Sequence, residues 1–516
     1  MLRPFLPTTR EGEMEQRIGI VSFTDPRAAA AHAEAREENI RRRHHELATF
    51  LAANGVSVID PLSSIKSKKA RIYGIATNSE VEKCARILST NRASGLIVGC
   101  WHWTEPQLVC SLVRQLAIPV MLYTADDPEW AGAVHISATG AALWEMAPNH
   151  YALHHERTIG AMEQMLPWIK AVCALDEMRS STLLLWGGSY CLRMNHLRDD
   201  EEKLKTFIIG DIVEESEYLL IRRADNILKK NNDRIVRFRK WLQKGGAKLV
   251  CDTVMLTEES FQRQIALYLA ARDRLNELQR ENIAGVSIRC QPELSEEWGV
   301  TACLLPSFLP FGRDCEGIQN VVPTVCEGDI KGLLTVTMLH KISGAPPLFG
   351  DLKYIGDGRI IISNCGGSSV YYAAPGESTA KVLSQLTFAG QCQGKSGGAV
   401  GYEGTTGRKD ELSATFARMM RANGRYFMQV GEGRIVGLDK DLRDKVLWGD
   451  MWPHVVVETG VSQRIFTRIA GSNHYCLAPG NLVEHIIHFC RQSGITPLRI
   501  DSDEASINSL QVLYGI

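Results

Sequence analysis

An alternation of short apolar runs with amphipathic helical segments is the feature that most constrains the fold of this chain. Helical segments of about 10–20 residues between apolar runs are typical of βαβ units, which build a parallel sheet. Ligands bind to such sheets beyond the carboxyl ends of the strands, so residues at those ends are the first functional candidates. In the first region the apolar runs cover residues 17–23, 56–60, 95–99 and 119–123.

The pattern divides the chain into three regions. The alternation restarts near Ser180 and stops near Lys353, and glycine-rich β-type runs dominate beyond that point. We therefore predict an α/β protein, with two Rossmann-like α/β domains that have parallel sheets and a mostly β C-terminal domain that could form a small barrel. Residues 151–179 are expected to form a helical link between the first two domains. The predicted boundaries are 1–174, 175–354 and 355–516.

Charge and cysteine usage exclude several classes of function. The chain has 58 basic and 59 acidic residues, so it has no basic excess to neutralise a nucleic-acid backbone. The 14 cysteines include no Cys-x-x-Cys pair, which is typical of reduced thiols in the cytoplasm. The first 16 residues resemble neither a signal peptide nor an anchor, and no apolar run suits a membrane span. We expect a cytoplasmic protein that acts on a soluble small molecule, without a nucleic-acid or membrane partner.

Two carboxylates that follow apolar runs are the strongest chemical signal. Glu327 follows the run 321–326, and Asp351 follows a second run 24 residues later. Adjacent parallel strands would place both carboxylates at the same sheet edge. Together with His474, they would form an oxygen-rich ligand set that suits Mn²⁺ or Mg²⁺. A cation held in this way can polarise a carbonyl, and a carboxylate can then remove the neighbouring proton.

Each of these residues also has a simpler interpretation. An acid after a strand is most often a helix N-cap or a solvated group, and a single histidine is most often structural. Spacing alone does not join His474 to Asp351, because 474 − 351 = 123 residues separate them.

The order of the motifs resembles that of the L-fucose isomerase family. The resemblance rests on Cys326-Glu327-Gly328-Asp329, on Gly350-Asp351-Leu352 and on Asn473-His474. It extends to Thr24-Asp25-Pro26-Arg27, to Cys100-Trp101 and to Cys290-Gln291-Pro292-Glu293. The chain departs from the family at Pro26, where the family has Gly, and in the loop 187–194. These departures concern the identity of the sugar more than the chemistry.

The resemblance implies a metal-dependent aldose–ketose isomerase that works through an enediol. The substrate would be a free sugar such as L-fucose, D-arabinose or a related aldose. Glu327 and Asp351 would be both metal ligands and the acid/base pair, and His474 would complete the coordination. The metal would be Mn²⁺, with Mg²⁺ or Co²⁺ as alternatives. The second α/β domain would carry the two carboxylates, and the C-terminal domain would carry the histidine.

The family also implies residues that bind sugar and an oligomer, typically a homohexamer. Arg27 and Trp101 would reach the active site of a neighbouring subunit, and Gln291 would contact sugar hydroxyls. Asn473, beside the metal histidine, is a further candidate for substrate binding. Trp452 precedes an apolar β-run, and it could stack on a sugar or belong to the core.

Weaker signals favour structural roles, and two rival functions stay open. The pairs His150/His154 and His485/His488 have helical spacing, and we interpret them as packing or contact residues rather than as zinc ligands. The segment 394–398 lacks the spacing and the helix of a phosphate loop. The main alternative function is a non-catalytic sugar-binding protein, which metal content and a ketose assay would separate from an isomerase. The second alternative is a metal-dependent hydrolase or lyase with the same ligands, which product analysis by NMR in D₂O would separate.

Overall fold

The computed structural model describes residues 16–25, 27, 33–67, 70–146, 148–252, 254–391, 397–405, 413–446 and 451–515. Pro26, residues 394–396 of the loop compared with a phosphate loop, and the N-terminal residues before 16 lie outside the described residues. Within the described ranges, no helix has both the length and the apolar character needed to cross a bilayer. The chain divides into two compact units, one formed by Thr9–Asp176 with Ile487–Ser493 and the other by the remainder.

The N-terminal unit contains a five-stranded parallel sheet with strand order β2-β1-β3-β4-β5. Its central strands are buried on both faces, as their uninterrupted apolar runs predict. The strands are β1 (Arg17–Ser22), β2 (Ser57–Ile59), β3 (Gly95–Gly99), β4 (Val120–Thr124) and β5 (Glu156–Ile159). The helices are α1 (Ala33–Ala53), α2 (Pro61–Ile65), α3 (Asn78–Thr90), α4 (Pro106–Leu116), α5 (Gly132–Trp144), α6 (His150–Leu153) and α7 (Leu166–Arg179).

The second unit begins with a four-stranded parallel sheet in the order β12-β9-β6-β7. The strands of this region are β6 (Thr182–Trp186), β7 (Asp211–Glu215), β8 (Lys248–Leu249), β9 (Ile283–Ile288), β10 (Arg313–Asp314), β11 (Gly317–Ile318) and β12 (Thr324–Cys326). The helices are α8 (Glu201–Lys205), α9 (Glu217–Lys230), α10 (Asn232–Lys244), α11 (Glu258–Glu277), α12 (Leu304–Phe308) and α13 (Ile330–Ser343), and a π-helix covers Glu293–Trp298.

A ten-stranded sheet follows, and part of it closes into a barrel. Antiparallel pairing runs through β18-β17-β20-β13-β14-β19, and a further pairing of β19 with β18 completes the ring. The strands are β13 (Leu348–Gly356), β14 (Arg359–Ser363), β15 (Thr387–Gly390), β16 (Gly398–Glu403), β17 (Ser413–Ala422), β18 (Arg425–Val436), β19 (Pro453–Glu458), β20 (His474–Pro479) and β21 (Thr496–Arg499). The helices are α14 (Thr379–Leu383), α15 (Lys440–Arg443), α16 (Gln463–Ile469), α17 (Val483–Ser493) and α18 (Asp503–Tyr514).

The predicted fold class is confirmed, because two parallel α/β sheets are followed by a mostly β, barrel-like sheet. Two details of the prediction are wrong. Residues 151–179 are not one helical link, since β5 lies among them and pairs with β4. Asp351 does not follow a parallel neighbour of β12. It lies inside β13, which pairs in antiparallel fashion with β14 and β20 of the other sheet.

Candidate active site

Glu327 lies at the carboxyl end of β12, in a backbone conformation that side chains rarely adopt. Its φ is 63°, and the next residue, Gly328, has a φ of 65°. A Cβ on Gly328 would lie 2.4 Å from the backbone nitrogen of Tyr190, so only glycine fits there. Tyr190 donates a backbone hydrogen bond to the carbonyl of Gly328 at 2.8 Å. A left-handed glutamate costs free energy, and such positions concentrate at functional sites.

Asp329 ends this turn and begins helix α13. Its Oδ1 accepts a hydrogen bond from the backbone nitrogen of Gly332 at 2.8 Å, which caps the helix. The same carboxylate binds the guanidinium of Arg418 through both oxygens, and Arg418 reaches it from β17. Both side chains are buried. The turn that holds Glu327 is therefore fixed to the barrel by an ion pair.

Asp351 and His474 are directly opposite each other on neighbouring barrel strands. The antiparallel register of β13 and β20 pairs the two residues. Directly opposed side chains on one face of such a pair lie close together. The ring of Phe349 packs beside the imidazole, with the ring centroids 4.7 Å apart.

The three predicted metal ligands lie close together, with His474 between the two carboxylates. Its Nε2 lies 3.1 Å from a carboxylate oxygen of Glu327 and 3.5 Å from one of Asp351. Its Nδ1 is hydrogen-bonded to Asp329 Oδ2 at 2.8 Å. Glu327 and His474 are almost fully buried, whereas the Asp351 side chain is 30% exposed. The exposed carboxylate gives the site its opening to solvent.

The buried charges of the site shift one another's pKa values. Burial alone would raise the pKa of Asp329, but Arg418 and His474 hold it far below its usual range. Burial disfavours a charged His474, yet hydrogen bonds to Asp329 and Glu327 outweigh it and raise the pKa of His474 to about 10. Burial raises the pKa of Asp351 and outweighs the opposing effect of His474, and Glu327 raises this pKa further. The imidazolium is thus the cation that the surrounding carboxylates share.

The donor atoms fit a small, hard divalent cation. In an octahedron with bonds of about 2.1 Å, neighbouring ligands lie about 3 Å apart, close to the distances from Nε2 to Glu327 and Asp351. Metal-binding histidines commonly donate their other ring N–H to a carboxylate, as Nδ1 does to Asp329. As the side chains stand, however, no group of three or more His, Cys, Asp or Glu in the described ranges encloses a metal position. Because Nε2 must lose its proton to bind a cation, uptake would replace the direct contact with Glu327.

A loop from the parallel-sheet region reaches the same site through Asn473. The Asn473 amide donates to Asp351 at 3.2 Å, and its Oδ1 is hydrogen-bonded to His196 at 2.8 Å. The sulfur of Met194 lies 3.9 Å from the amide nitrogen. The predicted substrate residue Asn473 therefore contacts a proposed acid/base group directly.

The other predicted sugar contacts of this unit lie around the site at different depths. Gln291 is buried just beyond the carboxyl end of β9, the neighbour of β12. Trp452 packs in an apolar cluster, and the amine of Lys353 lies 4.7 Å from its ring. Trp452 therefore belongs to the core, as one of its two interpretations predicted, and its contact with Lys353 is its link to β13.

Arg27 and Trp101 belong to the N-terminal unit and lie at the carboxyl ends of its strands. The Arg27 side chain is 67% exposed, is hydrogen-bonded to Asp25 and stacks over Trp103 at 4.6 Å. Its bond to Asp25 raises the pKa of the guanidinium. Trp101 is only 2% exposed, and its indole donates to Ser22 at 2.8 Å. Of the two, Arg27 presents its side chain to solvent.

Three residues of the site were not among the predicted ones, namely Asp329, Arg418 and His196. The N-cap role of Asp329 could have been predicted, because an acid directly before an apolar helical segment is a common N-cap. Its contact with His474 was not visible, since 474 − 329 = 145 residues separate the two. Arg418 carried no local signal beyond its place in a β-type run.

The fold and the site together define a class: an α/β protein with a C-terminal barrel, in which two carboxylates meet a buried histidine. Residues 362–499 match the family model described as L-fucose isomerase, C-terminal domain. The sulfoquinovose isomerase of Alkalicoccus urumqiensis is 28% identical over 92 residues, which is 17% of this chain and 19% of that protein. The match thus spans about a fifth of the length of that relative. The predicted resemblance to the L-fucose isomerase family is thus confirmed over residues 362–499.

Proposed function

We propose that this protein is a sugar isomerase that interconverts an aldose and a ketose through an enediol. The observation that supports it best is the convergence of Glu327, Asp351 and His474 in one partly open site. The family match includes His474 but begins after both carboxylates, so the support for Glu327 and Asp351 comes from the geometry of the site. We propose a free aldose as substrate, such as L-fucose, D-arabinose or a related sugar.

The two carboxylates divide the proton transfers between them. One removes the proton from C2 of the bound aldose, and the same proton or one from solvent is returned to C1. The other carboxylate moves the hydroxyl proton between O1 and O2. The amide of Asn473 holds Asp351 in place, and the left-handed turn fixes Glu327, so both bases are oriented before the sugar binds. The exposed part of Asp351 leaves a route for solvent exchange.

A divalent cation, with Mn²⁺ favoured and Mg²⁺ or Co²⁺ as alternatives, would be held by Glu327, Asp351 and His474. Once bound, it would supply a Lewis acid that makes the C2 proton easier to remove. Asp329 would keep the Nδ1 proton of His474, so that Nε2 faces the cation. The variant His474→Ala is expected to lose metal retention, measured as metal per chain after gel filtration, with a wild-type sample as control. An unchanged stoichiometry would remove His474 from the ligand set.

We propose a homo-oligomer, which in the L-fucose isomerase family is typically a hexamer. In such an assembly Arg27 would act on the site of a neighbouring subunit. The exposed, stacked side chain of Arg27 supports this role, because its guanidinium is oriented by Asp25 and Trp103 without being buried. We propose that the protein acts in the cytoplasm. Light scattering coupled to gel filtration measures the oligomer directly.

The decisive experiment is NMR of an aldose panel incubated with the protein and Mn²⁺ in D₂O. An isomerase produces a ketose and exchanges the C2 hydrogen with solvent deuterium. A sugar-binding protein would shift or broaden resonances without either change. Absence of ketose and of deuterium incorporation across the panel would refute the proposed function.

A further inference from the structure

A cavity of about 400 Å³ lies at the carboxyl end of the four-stranded parallel sheet, where Gly187 follows β6 and Arg289 follows β9. Its lining includes Glu217, Arg289, Glu293 and Trp298. Arg289 directly follows β9, whose last residue, Ile288, pairs with the last residue of β12. Arg289 is therefore level with Glu327 on the next strand. Ligands of open α/β sheets bind at this edge.

Glu217 is the unexplained group in this cavity. It is 4% exposed, and its Oε1 has no hydrogen-bond partner within the described part of the chain. A Cβ on Gly187 would lie 2.6 Å from that oxygen, so the glycine leaves room for the carboxyl. Burial and the nearby Glu293 raise the pKa of Glu217 to about 8. A neutral carboxyl has one O–H donor and free acceptor positions.

The other polar groups of the cavity also keep unused hydrogen-bonding capacity. Arg289 and Glu293 bind each other, yet Arg289 Nε and Glu293 Oε2 are buried without partners among the described residues. Buried polar atoms of folded proteins are almost always paired, so each of these atoms calls for a partner from a ligand or from water. The cavity therefore offers both donors and acceptors that the protein does not use.

An aromatic ring forms a fixed wall of the same cavity. The Trp298 indole donates to Asp225 at 3.4 Å, and the guanidinium of Arg263 stacks 4.6 Å from its ring. Trp298 ends the π-helix 293–298, which also carries Glu293. Such segments are rare and frequently occur at functional sites. Because Asp225 and Arg263 restrict its motion, the Trp298 ring can offer a rigid apolar surface to a ligand.

We propose that this cavity binds a neutral, hydroxyl-rich group, as found in a monosaccharide or a polyol. Neutral hydroxyls can use the free donors and acceptors together, and the C–H face of a sugar ring can lie against Trp298. An anion would meet three carboxyl groups, of Glu217, Glu293 and Glu297, against the one guanidinium of Arg289. The volume of the cavity suits a single sugar unit.

This inference rests on the proposed function in one respect only, namely which molecule carries the bound hydroxyl groups. They belong either to the far end of a substrate in the neighbouring catalytic site or to a separate sugar molecule. The test of binding itself uses galactitol, a hexitol without a carbonyl, which no isomerase can turn over. Failure of the proposed function would appear as absent deuterium exchange, whereas failure of this inference would appear in galactitol binding.

The experiment measures galactitol binding to the full-length chain by titration calorimetry and saturation-transfer NMR. Glu217→Leu and Arg289→Met each remove hydrogen-bonding capacity, and each is expected to weaken binding about tenfold. Glu259→Leu, an exposed glutamate at the start of α11, is the matched control and is expected to bind like wild type. Thermal melts verify that all variants fold, and the second cavity variant keeps the test valid if one does not.

The outcomes separate the two sources. A higher KM for the aldose in Glu217→Leu identifies the far end of the substrate, and an unchanged KM with lost galactitol binding identifies a separate sugar. Galactitol binding that is absent in wild type, or equal in wild type and both cavity variants, overturns the inference.

Discussion

The role of Asp329 can be tested by replacing it with asparagine. This change keeps the size of the side chain and an oxygen that can cap α13, but it removes the charge that Arg418 and His474 share. Arg418 is 1% exposed, so the variant leaves a buried cation without its counterion. Breaking a buried pair in this way costs about 3–5 kcal/mol. We expect a loss of that size in the free energy of unfolding, measured with urea.

The same substitution is expected to weaken the binding of Mn²⁺. Asp329 holds the Nδ1 proton of His474 and so directs Nε2 toward Glu327 and Asp351. Losing such a partner of a metal-binding histidine typically costs about 10–100-fold in affinity, or about 1.4–2.7 kcal/mol. Competition with a fluorescent chelator measures this affinity, and kcat and KM measured at saturating Mn²⁺ show whether the metal restores turnover.

A double variant separates the two effects. Adding Arg418→Met to Asp329→Asn removes the unpaired buried charge, so stability is expected to recover while Mn²⁺ affinity stays low. The matched control is Asp199→Asn, because Asp199 is also a buried acid that binds cations, namely Lys331 and Arg421, but does not contact His474. It should lose stability without losing Mn²⁺ affinity. Mn²⁺ affinity of Asp329→Asn within twofold of wild type would refute the positioning role.

Three further predictions follow from the site and the cavity. Glu327→Gln should abolish ketose formation and C2 deuterium exchange while the chain still folds, as judged by circular dichroism; retained turnover would remove Glu327 from the acid/base pair. Glu217 has a folded pKa of about 8 against an ordinary 4.5, so wild-type stability falls as pH rises from about 4.5 to 8, and Glu217→Gln should gain on the order of 4 kcal/mol over this window. Urea unfolding at pH 5 and pH 8 measures that gain, and a difference independent of pH would contradict it. Mixing unfolded Arg27→Ala with unfolded Glu327→Gln and refolding them together should restore part of the turnover, whereas each variant refolded alone stays inactive; no recovery would argue against a shared active site.

The architecture was largely predictable because it depends on local patterns. A run such as Gly95–Gly99 is apolar throughout, and a strand buried on both faces of a parallel sheet requires that composition. The strand β5 escaped prediction for the same reason. It lies at the edge of its sheet, its residues are only half-buried or exposed, and its sequence is mostly polar.

The site was predictable in its members but not in its geometry. Asp351 follows an apolar run, which suggested a strand end in a parallel sheet, yet the strand continues through it into the barrel. Its position opposite His474 depends on the register between β13 and β20, which no local pattern encodes. The contact of Asp329 with Arg418 likewise depends on how α13 packs on the barrel. Features that depend on local sequence patterns were therefore predictable, whereas contacts that depend on long-range strand pairing became visible only in the structure.

The two halves of the site come from different sheets, with Glu327 beyond a parallel strand and Asp351 and His474 on the barrel. A chain in which only one of these sheets has formed holds either Glu327 alone or the pair Asp351 and His474, but not all three residues. Regain of turnover during refolding should consequently be among the last signals to return, after the circular dichroism of either sheet. The proposed activity would thus report the docking of the two sheets on each other rather than the completion of either one.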